Sequence, residues 1–362
     1  MRLPLYKKVR DVFNNLKSKD NKLNLGLYHQ KFCKHWQGGF GPDISLEKHE
    51  FLKEIVDKAK KITAEDRIVL DEHVERLSLL INNLGGKFEI YELKERFVTG
   101  TGLNHPVEVG FLWNHVLGVP YIAGSSIKGL ARDWAENWLE IDDDDINRIF
   151  GSNDQMGSVI FFDALPYGKI NLAVDIMTPH YGSYYAEGGC PGDWSNPTPI
   201  PFLTVDEQQR FIFFVAPGKE KAKKDCTKAL KWLDEALTTI GAGAKTATGY
   251  GCFKAAEDLT KVHKNELKAK IKEEEQKRRL EKMTPIRREM EEEGFSVDEN
   301  TFMEKLTVKW LKRLKDESVD AKEKREIAGN LADWYKTWRP KDWEKPQRKN
   351  VEKVEVIKKY LD

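Results

Sequence analysis

Apolar residues recur at helical spacing in the first quarter of the chain. Between Leu46 and Lys61 they fall three or four residues apart, which predicts an amphipathic helix. Thr63 and Asp66 have the spacing of a capping box, with Asp in place of the usual Glu, and predict the start of a second helix that stops at Gly85-Gly86. We therefore expect residues 1–86 to be mostly helical.

The hydrophobic period changes from Phe88 onward. Apolar residues mixed with charged ones predict a long half-buried strand from Phe88 to Val98. Further strands are expected at 159–162, 170–177 and 210–215, helices at 126–139 and 219–240, and short extended pieces within 107–119. Because helices and strands interleave, residues 87–258 are expected to form an α+β domain with helices packed on one sheet.

Residues 178–201 show no period and are rich in Gly, Pro and aromatic side chains. A long segment of this kind inside a compact domain is usually functional or disordered, and because its aromatic residues favour order, we interpret it as an ordered loop.

Residues 259–362 are expected to form a charged helical extension, and Lys, Arg and Glu dominate its first part, residues 261–293. Blocks of opposite charge at i,i+4 spacing predict a solvated helix that Thr284-Pro285 interrupts. Shorter helices are expected at 302–314 and at 327–338, the latter with Trp334 and Trp338 on one face. We expect this extension to be a packing or partner surface.

Composition narrows the functional classes only slightly. The chain has 362 residues, 40% of them hydrophobic, and 60 Lys and Arg against 59 Asp and Glu. The near-neutral net charge means that any basic surface must be local. The four cysteines are scattered and form no CxxC pair, which argues against a disulfide framework and against a zinc site. The sequence shows no signal-peptide pattern and no apolar run of membrane length. We therefore expect no metal, no cofactor and no membrane partner, and a location in the cytoplasm.

The segment Gly241-Ala-Gly-Ala-Lys-Thr-Ala-Thr-Gly-Tyr-Gly251, here called the glycine-rich loop, follows a predicted helix and precedes a short extended run. Exposed amide N–H groups in such a loop form a concave anion site. Lys245 adds a point charge and Tyr250 a ring on which a base can stack. A P-loop would need glycine at Ala244 and the order strand, loop, helix, so the residues favour a phosphate backbone over a nucleoside triphosphate. The simpler interpretation is a flexible connection without a ligand.

A second segment, Gly118-Val-Pro-Tyr-Ile-Ala-Gly-Ser-Ser-Ile-Lys-Gly-Leu-Ala-Arg132, carries similar chemistry. Ser125 or Ser126 is expected to cap the helix that follows, whose N–H groups offer an anion site. Lys128 and Arg132 lie four residues apart, on one helical face. The simpler interpretation is an ordinary capped helix with surface charges.

These two segments resemble signatures of the RAMP superfamily, the repeat-associated proteins of CRISPR systems. The second segment is similar to the pattern G-x-P-Y/I-I-P-G-S-S-x-K-G-x-x-R, except that Ala123 replaces the proline. The glycine-rich loop resembles the C-terminal motif of that superfamily, and Phe150-Gly151, Gly157 and Phe161-Phe-Asp-Ala164 fit its internal pattern. Gly102–Pro106, Met177–Tyr181 and Asp193–Pro199 are similar to the sixth-subunit family of the type III-B Cmr effector complex.

The resemblance implies an RRM-like, ferredoxin-like core, with a helical N-terminal segment and a helical C-terminal extension. It also implies a non-catalytic, RNA-binding subunit for antiviral defence that holds guide RNA (crRNA) near its 3′ side and helps to position single-stranded target RNA. The implied neighbours are the first, fourth and fifth Cmr subunits. The two segments are expected to converge in one groove that contains Lys128 and Lys245, where backbone amides and cations would grip phosphates and leave the bases free for pairing. The candidate RNA-binding residues are Ser125, Ser126, Lys128, Arg132, Gly243, Lys245, Thr246, Tyr250, His180, Tyr181 and Trp194.

Two other functions stay open at this point. A metal-independent endoribonuclease that processes guide precursor would need a base, an acid and a cation, which His105, His180, Tyr181 and Lys245 supply as residue types. A scaffold that contacts only proteins is the third possibility. For His180, Tyr181 and Trp194, local packing of their loop or a contact with another subunit is an equal alternative.

Overall fold

The computed structural model describes residues 24–37, 45–180 and 197–361, together with positions 184, 188 and 190. These residues fall into two compact units, one ending at Leu267 and the other beginning at Lys268. The division into segments 1–86, 87–258 and 259–362 stays a prediction.

Short strands and six complete helices make up the described part of the first unit. Its strands are β1 (Trp36–Gln37), β2 (Ser45–Leu46), β3 (Lys87–Leu93), β4 (Trp113–Asn114), β5 (Val119–Pro120), β6 (Val159–Phe161), β7 (Leu165–Pro166), β8 (Leu172–Met177), β9 (Ile200–Val205), β10 (Arg210–Pro217) and β11 (Phe253–Ala255). Its helices are α1 (Leu25–Lys31), α2 (Lys48–Lys60), α3 (Ile68–Asn83), α4 (Gly124–Asn137), α5 (Asp143–Phe150) and α6 (Lys223–Thr239).

The main sheet is antiparallel and has the strand order β11-β3-β10-β6, with β7 also paired to β10. Counted along the chain, β3, β6, β10 and β11 are the first to fourth strands, so the order is 4-1-3-2. Helix α4 joins the first pair of strands and α6 joins the last pair. This is the β-α-β-β-α-β arrangement of a ferredoxin-like fold, and it confirms the α+β, RRM-like prediction.

Helices cover both faces of this sheet. Phe211, Phe213 and Val215 of β10 point into the main core with α4 and α6, while Ile212 and Phe214 are buried on the opposite face. Helix α3 packs on that opposite face, where it contacts β3 and β10. Because β10 is buried from Phe211 onward on both faces, its sequence is a continuous apolar run.

Helix α7 (Glu257–Glu281) begins directly after β11, on the side of α3. The His263 imidazole lies 3.0 Å from the Ser78 hydroxyl of α3 and packs edge-on to Phe88. Lys264 forms an ion pair with Glu89 at 2.7 Å. These contacts leave little of this sheet face open.

The second unit is helical and has its own hydrophobic core. Its further helices are α8 (Pro285–Glu292), α9 (Glu299–Lys305), a π-helical turn (Leu306–Trp310), α10 (Leu311–Lys315), α11 (Ala321–Trp338), α12 (Pro340–Glu344) and α13 (Lys349–Lys359). Thr284 caps α8 through its hydroxyl, and Pro285 follows at the first helical position, as the interrupted pattern predicts. Trp334 is fully buried and Trp338 is 37% exposed, so only Trp334 belongs to the core.

Candidate nucleic-acid interface

The glycine-rich loop joins α6 to β11 and contains one 3₁₀ turn, Thr246–Thr248. Gly243 has φ +94°, and a Cβ there would lie 2.3 Å from the Val98 carbonyl oxygen. Gly251 has φ +71°, and a Cβ there would lie 1.9 Å from the Ala242 carbonyl oxygen. Only glycine allows both the positive φ and the close approach. The order helix, loop, strand is the reverse of a P-loop, so a nucleoside triphosphate site of that kind is not present here.

Several amide N–H groups of this loop have no hydrogen-bond partner among the described residues. The Ala244 amide donates to the Val98 carbonyl and the Gly251 amide to the Arg96 carbonyl, and these bonds hold the loop to the segment after β3. Within the described part of the chain, no hydrogen bond is made by the amides of Gly243, Lys245, Thr246 and Ala247. Such a cluster of open amides is suited to an anion.

Lys245 stands in the middle of these open amides. Its backbone is left-handed, with φ +62°. Its ammonium lies 5.7 Å from the centre of the Phe202 ring of β9 and has no ion pair with a described carboxylate. Since its charge is not neutralised, Lys245 is available to a phosphate.

Tyr250 ties the loop to the β8–β9 hairpin. Its hydroxyl donates to the Asp175 carboxylate at 2.7 Å, and its ring packs on Phe202 at 6.0 Å. Burial and the Asp175 carboxylate raise the pKa of Tyr250 to about 12. Burial alone would raise the pKa of Asp175, but hydrogen bonds from Tyr250, the Ile176 amide and Arg96 outweigh it and lower that pKa. These contacts of Tyr250 fix the loop to the hairpin. The stacking of a base on the Tyr250 ring stays a prediction.

The start of α4 differs from the sequence-based expectation. Neither Ser125 nor Ser126 caps the helix; Ala123 is the N-cap residue, and both serine side chains are exposed. The Gly124 amide instead donates to the Asp163 carboxylate at 2.7 Å. The prediction that a serine caps α4 was therefore wrong, because a carboxylate from the connection after β6 reaches the first amide. This carboxylate competes with any anion at the helix N-terminus.

Lys128 and Arg132 do share a face of α4, as their spacing predicts. Both line a cavity of about 430 Å³. The cavity is completed by the turn between α5 and β6, namely Phe150, Gly151, Ser152, Asn153, Gln155, Met156 and Gly157. Arg132 is held there by Glu136 at 2.6 Å and by the Gly151 carbonyl at 3.2 Å, whereas Lys128 has no partner among the described residues. Lys128 is thus the cationic side chain of this cavity whose charge no described residue neutralises.

The two motifs lie at different heights along the sheet. Val215 of β10 pairs with Phe161 at the end of β6 and with Lys87 at the start of β3, so these two strand ends are level with each other. Helix α4 begins beside Phe161 and therefore at this same level. The glycine-rich loop is hydrogen-bonded to Arg96 and Val98, which follow Leu93 at the end of β3. Leu93 lies six residues, or about 20 Å, from Lys87 along the strand. No loop residue lines the cavity that contains Lys128. A single groove shared by Lys128 and Lys245, which the sequence suggested, is not among the described cavities.

The aromatic candidates lie in or beside the long segment after β8. His180 is exposed, and Tyr181 and Trp194 lie outside the described residues. His105, a candidate of the ribonuclease alternative, stacks on buried His29 with ring centres 4.1 Å apart. Its two nitrogens are used by the His29 carbonyl and the Val107 amide, so it has a structural role in the packing of α1.

Sequence reasoning missed the polar residues that position the loop. Arg96 binds Asp175 at 2.9 Å and approaches Asp206 at 3.5 Å, which joins the segment after β3 to the hairpin. Asp163 was visible only as part of the Phe161–Ala164 pattern, and nothing in its spacing indicates a contact with Gly124, 39 residues earlier in the chain.

Among the described residues, no group of three or more His, Cys, Asp and Glu could hold a metal ion. None of the described helices is long and apolar enough to cross a membrane.

Comparison with known proteins yields one family. Residues 91–254 match the model of the RAMP superfamily. The chain is 27% identical over 270 residues to the CRISPR system Cmr subunit Cmr6 of Pyrococcus furiosus, which covers 55% of this chain and 78% of that protein. It is 24% identical over 227 residues to the Cmr6 subunit of Saccharolobus solfataricus, which covers 61% of this chain and 75% of that protein.

Two solved structures are also similar. A chain in the cryo-EM structure of the type III-B Cmr-beta complex bound to cognate target RNA has a TM-score of 0.49 and 20% identity, over 68% of this chain and 95% of that one. The crystal structure of Cmr6 from Pyrococcus furiosus has a TM-score of 0.32 and 28% identity, over 47% of this chain and 97% of that one.

Proposed function

We propose that this chain is a non-catalytic, RNA-binding subunit of a type III-B CRISPR (Cmr) effector complex, because residues 91–254 match the model of the RAMP superfamily. Its curated relatives are subunits named Cmr6. The observation that carries the RNA-binding part is the glycine-rich loop, in which four amides make no hydrogen bond, and the Lys245 ammonium no ion pair, with a described residue. The same proposal places the chain in the cytoplasm.

Phosphates of the guide RNA are the ligand that this chemistry fits. Amide N–H groups and lysine ammonium groups bind phosphate oxygens without reading a base. A guide must be held in this way because its bases pair with the target. Lys128 would bind a different phosphate of the same strand, since α4 begins about 20 Å from the level of the loop along the sheet.

The sheet face is not available for the binding mode of an RRM. In that mode, aromatic residues on an open sheet stack bases. Here Phe88 and Phe214 lie under α3 and the start of α7, at 4% and 1% exposure. The RNA contacts are therefore assigned to loops and to α4.

Neighbouring subunits and the position on the guide can be tested by reconstitution. We expect the chain to assemble with the first, fourth and fifth Cmr subunits on guide RNA and to protect nucleotides near the 3′ side from a nuclease. Lys128→Ala combined with Lys245→Ala should weaken that protection, while the matched change Lys61→Ala with Lys224→Ala, at exposed lysines outside both motifs, should not. Protection that is equal in all three proteins would contradict the proposal.

The endoribonuclease alternative gains no support from the site. His105 is committed to His29 and Val107, and no described hydrogen bond joins it to His180 or Lys245. We expect no specific cleavage when the purified chain is incubated with repeat RNA in EDTA. Specific cuts that disappear in His180→Ala would establish catalysis and overturn the non-catalytic assignment.

A further inference from the structure

The positive charge of the second unit is concentrated near its end. Residues 268–333 contain 17 Lys and Arg and 17 Asp and Glu, whereas residues 334–362 contain nine and five. The balanced part is also neutralised locally by ion pairs. Arg313 binds Glu289 and Glu323, and Lys309 binds Glu289 and Glu293. Local excess of positive charge therefore lies on α12, α13 and the end of α11.

Four lysines in and beside this region flank two aromatic rings. The ammonium groups of Lys336 and Lys358 lie 5.9 and 5.1 Å from the centre of the Trp343 ring. Those of Lys324 and Lys359 lie 5.5 and 5.6 Å from the centre of the Tyr360 ring. All four lysines are exposed or half-exposed, and none has an ion pair with a described carboxylate. We call these six residues the lysine–aromatic surface.

The acidic groups around this surface are few. Asp342 lies 3.9 Å from Arg339 and accepts a hydrogen bond from Asn350, and Glu299 binds Arg339 at 2.6 Å. Glu352 is paired with Lys315 at 2.9 Å. Glu344 and Glu355 are exposed and form no described ion pair with the four lysines, so these lysines are not neutralised by a described carboxylate.

We propose that the lysine–aromatic surface is a binding site for single-stranded nucleic acid. Aromatic rings flanked by cations are the means by which proteins hold single strands, with bases stacked on the rings and phosphates on the cations. Trp343 and Tyr360 are both half-buried, so each offers ring surface at a fixed position. Lysine side chains are flexible, so their ammonium groups can move from a ring to a phosphate and leave the ring to a base. A duplex hides its base faces and would not use the rings.

This site lies beyond residue 254, where the RAMP segment ends, and does not depend on the proposed function. The test is photo-crosslinking of the full-length chain to single-stranded RNA that contains 4-thiouridine, followed by mapping of the modified peptides. We expect adducts on the peptides that contain Trp343 or Tyr360. Lys336→Ala with Lys358→Ala should reduce those adducts and lower the slope of log affinity against log salt by about 1.4.

Matched variants separate this site from the others. Lys305→Ala with Lys312→Ala removes two exposed lysines of the same unit and should leave adducts and slope unchanged. Lys128→Ala with Lys245→Ala should leave the Trp343 and Tyr360 adducts in place even if RNA binding by the first unit fails. The proposal is overturned if adducts are confined to the first unit, or if the surface binds only an acidic protein and no RNA. It is also overturned if Lys336→Ala with Lys358→Ala and Lys305→Ala with Lys312→Ala have the same effect on adducts and slope.

Discussion

Backbone contacts at single glycines determine the shape of the glycine-rich loop. Four glycines there have positive φ, and at Gly251 a methyl group would collide with the Ala242 carbonyl oxygen. The sequence alone indicated the glycines but not which of them lack room. At Gly243 the close contact is with the Val98 carbonyl oxygen, which belongs to a residue 145 positions earlier and approaches only in the folded chain.

Gly251→Ala should therefore destabilise the protein by roughly 1–3 kcal/mol, because it combines a strained φ with a steric clash. Gly129→Ala is the matched control: Gly129 is an exposed helical position with open space around its Cα, and alanine there should stabilise by about 0.5–1 kcal/mol. Urea unfolding measures both. Equal effects of the two changes would show that the loop has no such constraint.

His29 provides a pH-dependent contribution to stability. Its Nδ1 accepts the indole N–H of Trp113 at 3.2 Å, so the ring is neutral, and its Nε2 finds no partner among the described residues. Burial, followed by the nearby His105, holds the pKa of His29 well below its usual 6.5. The unfolded state therefore binds a proton more readily than the folded state.

A base with a lowered folded-state pKa stabilises the protein above pH 6.5, and this stabilisation is lost as the pH falls below that value. We expect the free energy of unfolding to fall by up to about 1.4 kcal/mol per pH unit between pH 6.5 and 5. In His29→Gln, which cannot titrate, the slope over this range should be smaller. The same slope in both proteins would exclude His29 as its source.

Elements with a clear hydrophobic period were predicted well from the sequence. The capping box is present, since the Thr63 amide donates to the Asp66 carboxylate at 2.9 Å and α3 follows it. The predicted helix at 219–240 and strand at 210–215 correspond to α6 and β10.

Strand β9 was missed, because Pro201 and the segment before it have the composition of a loop and its pairing with β8 is non-local. Helix α5 was missed because three of its eight residues are aspartates.

The Tyr250 hydroxyl couples the glycine-rich loop to the β8–β9 hairpin, in addition to the packing of the Tyr250 ring on Phe202. Tyr250→Phe removes the bond to Asp175 and should cost about 1–2 kcal/mol, since the acceptor is charged and the pair is half-exposed. Amide hydrogen exchange in residues 243–251 should become faster. Tyr121→Phe is the control, because the Tyr121 hydroxyl makes no described hydrogen bond. Unchanged exchange in Tyr250→Phe would contradict this coupling.

At the scale of the whole molecule, the sequence predicted the ferredoxin-like strand order only through family resemblance. The pairings of β3 with β10 and β11 join segments more than 100 residues apart, and no local pattern specifies them. The sequence also suggested one RNA groove, whereas the first unit places Lys245 and Lys128 in separate surroundings. Helical period does not reveal this separation, because it is set by the register of β6 and β3 on β10.

The central claim is that open amides and unpaired lysines of this chain bind an RNA backbone regardless of sequence. Its most direct test is the salt dependence of binding to single-stranded RNAs of several unrelated sequences. Relative to wild type, Lys128→Ala with Lys245→Ala should weaken binding by a similar factor for every sequence and lower the salt slope by about 1.4, while Lys61→Ala with Lys224→Ala leaves both unchanged. Wild-type affinity and slope in the Lys128 and Lys245 double variant at low salt would contradict the account.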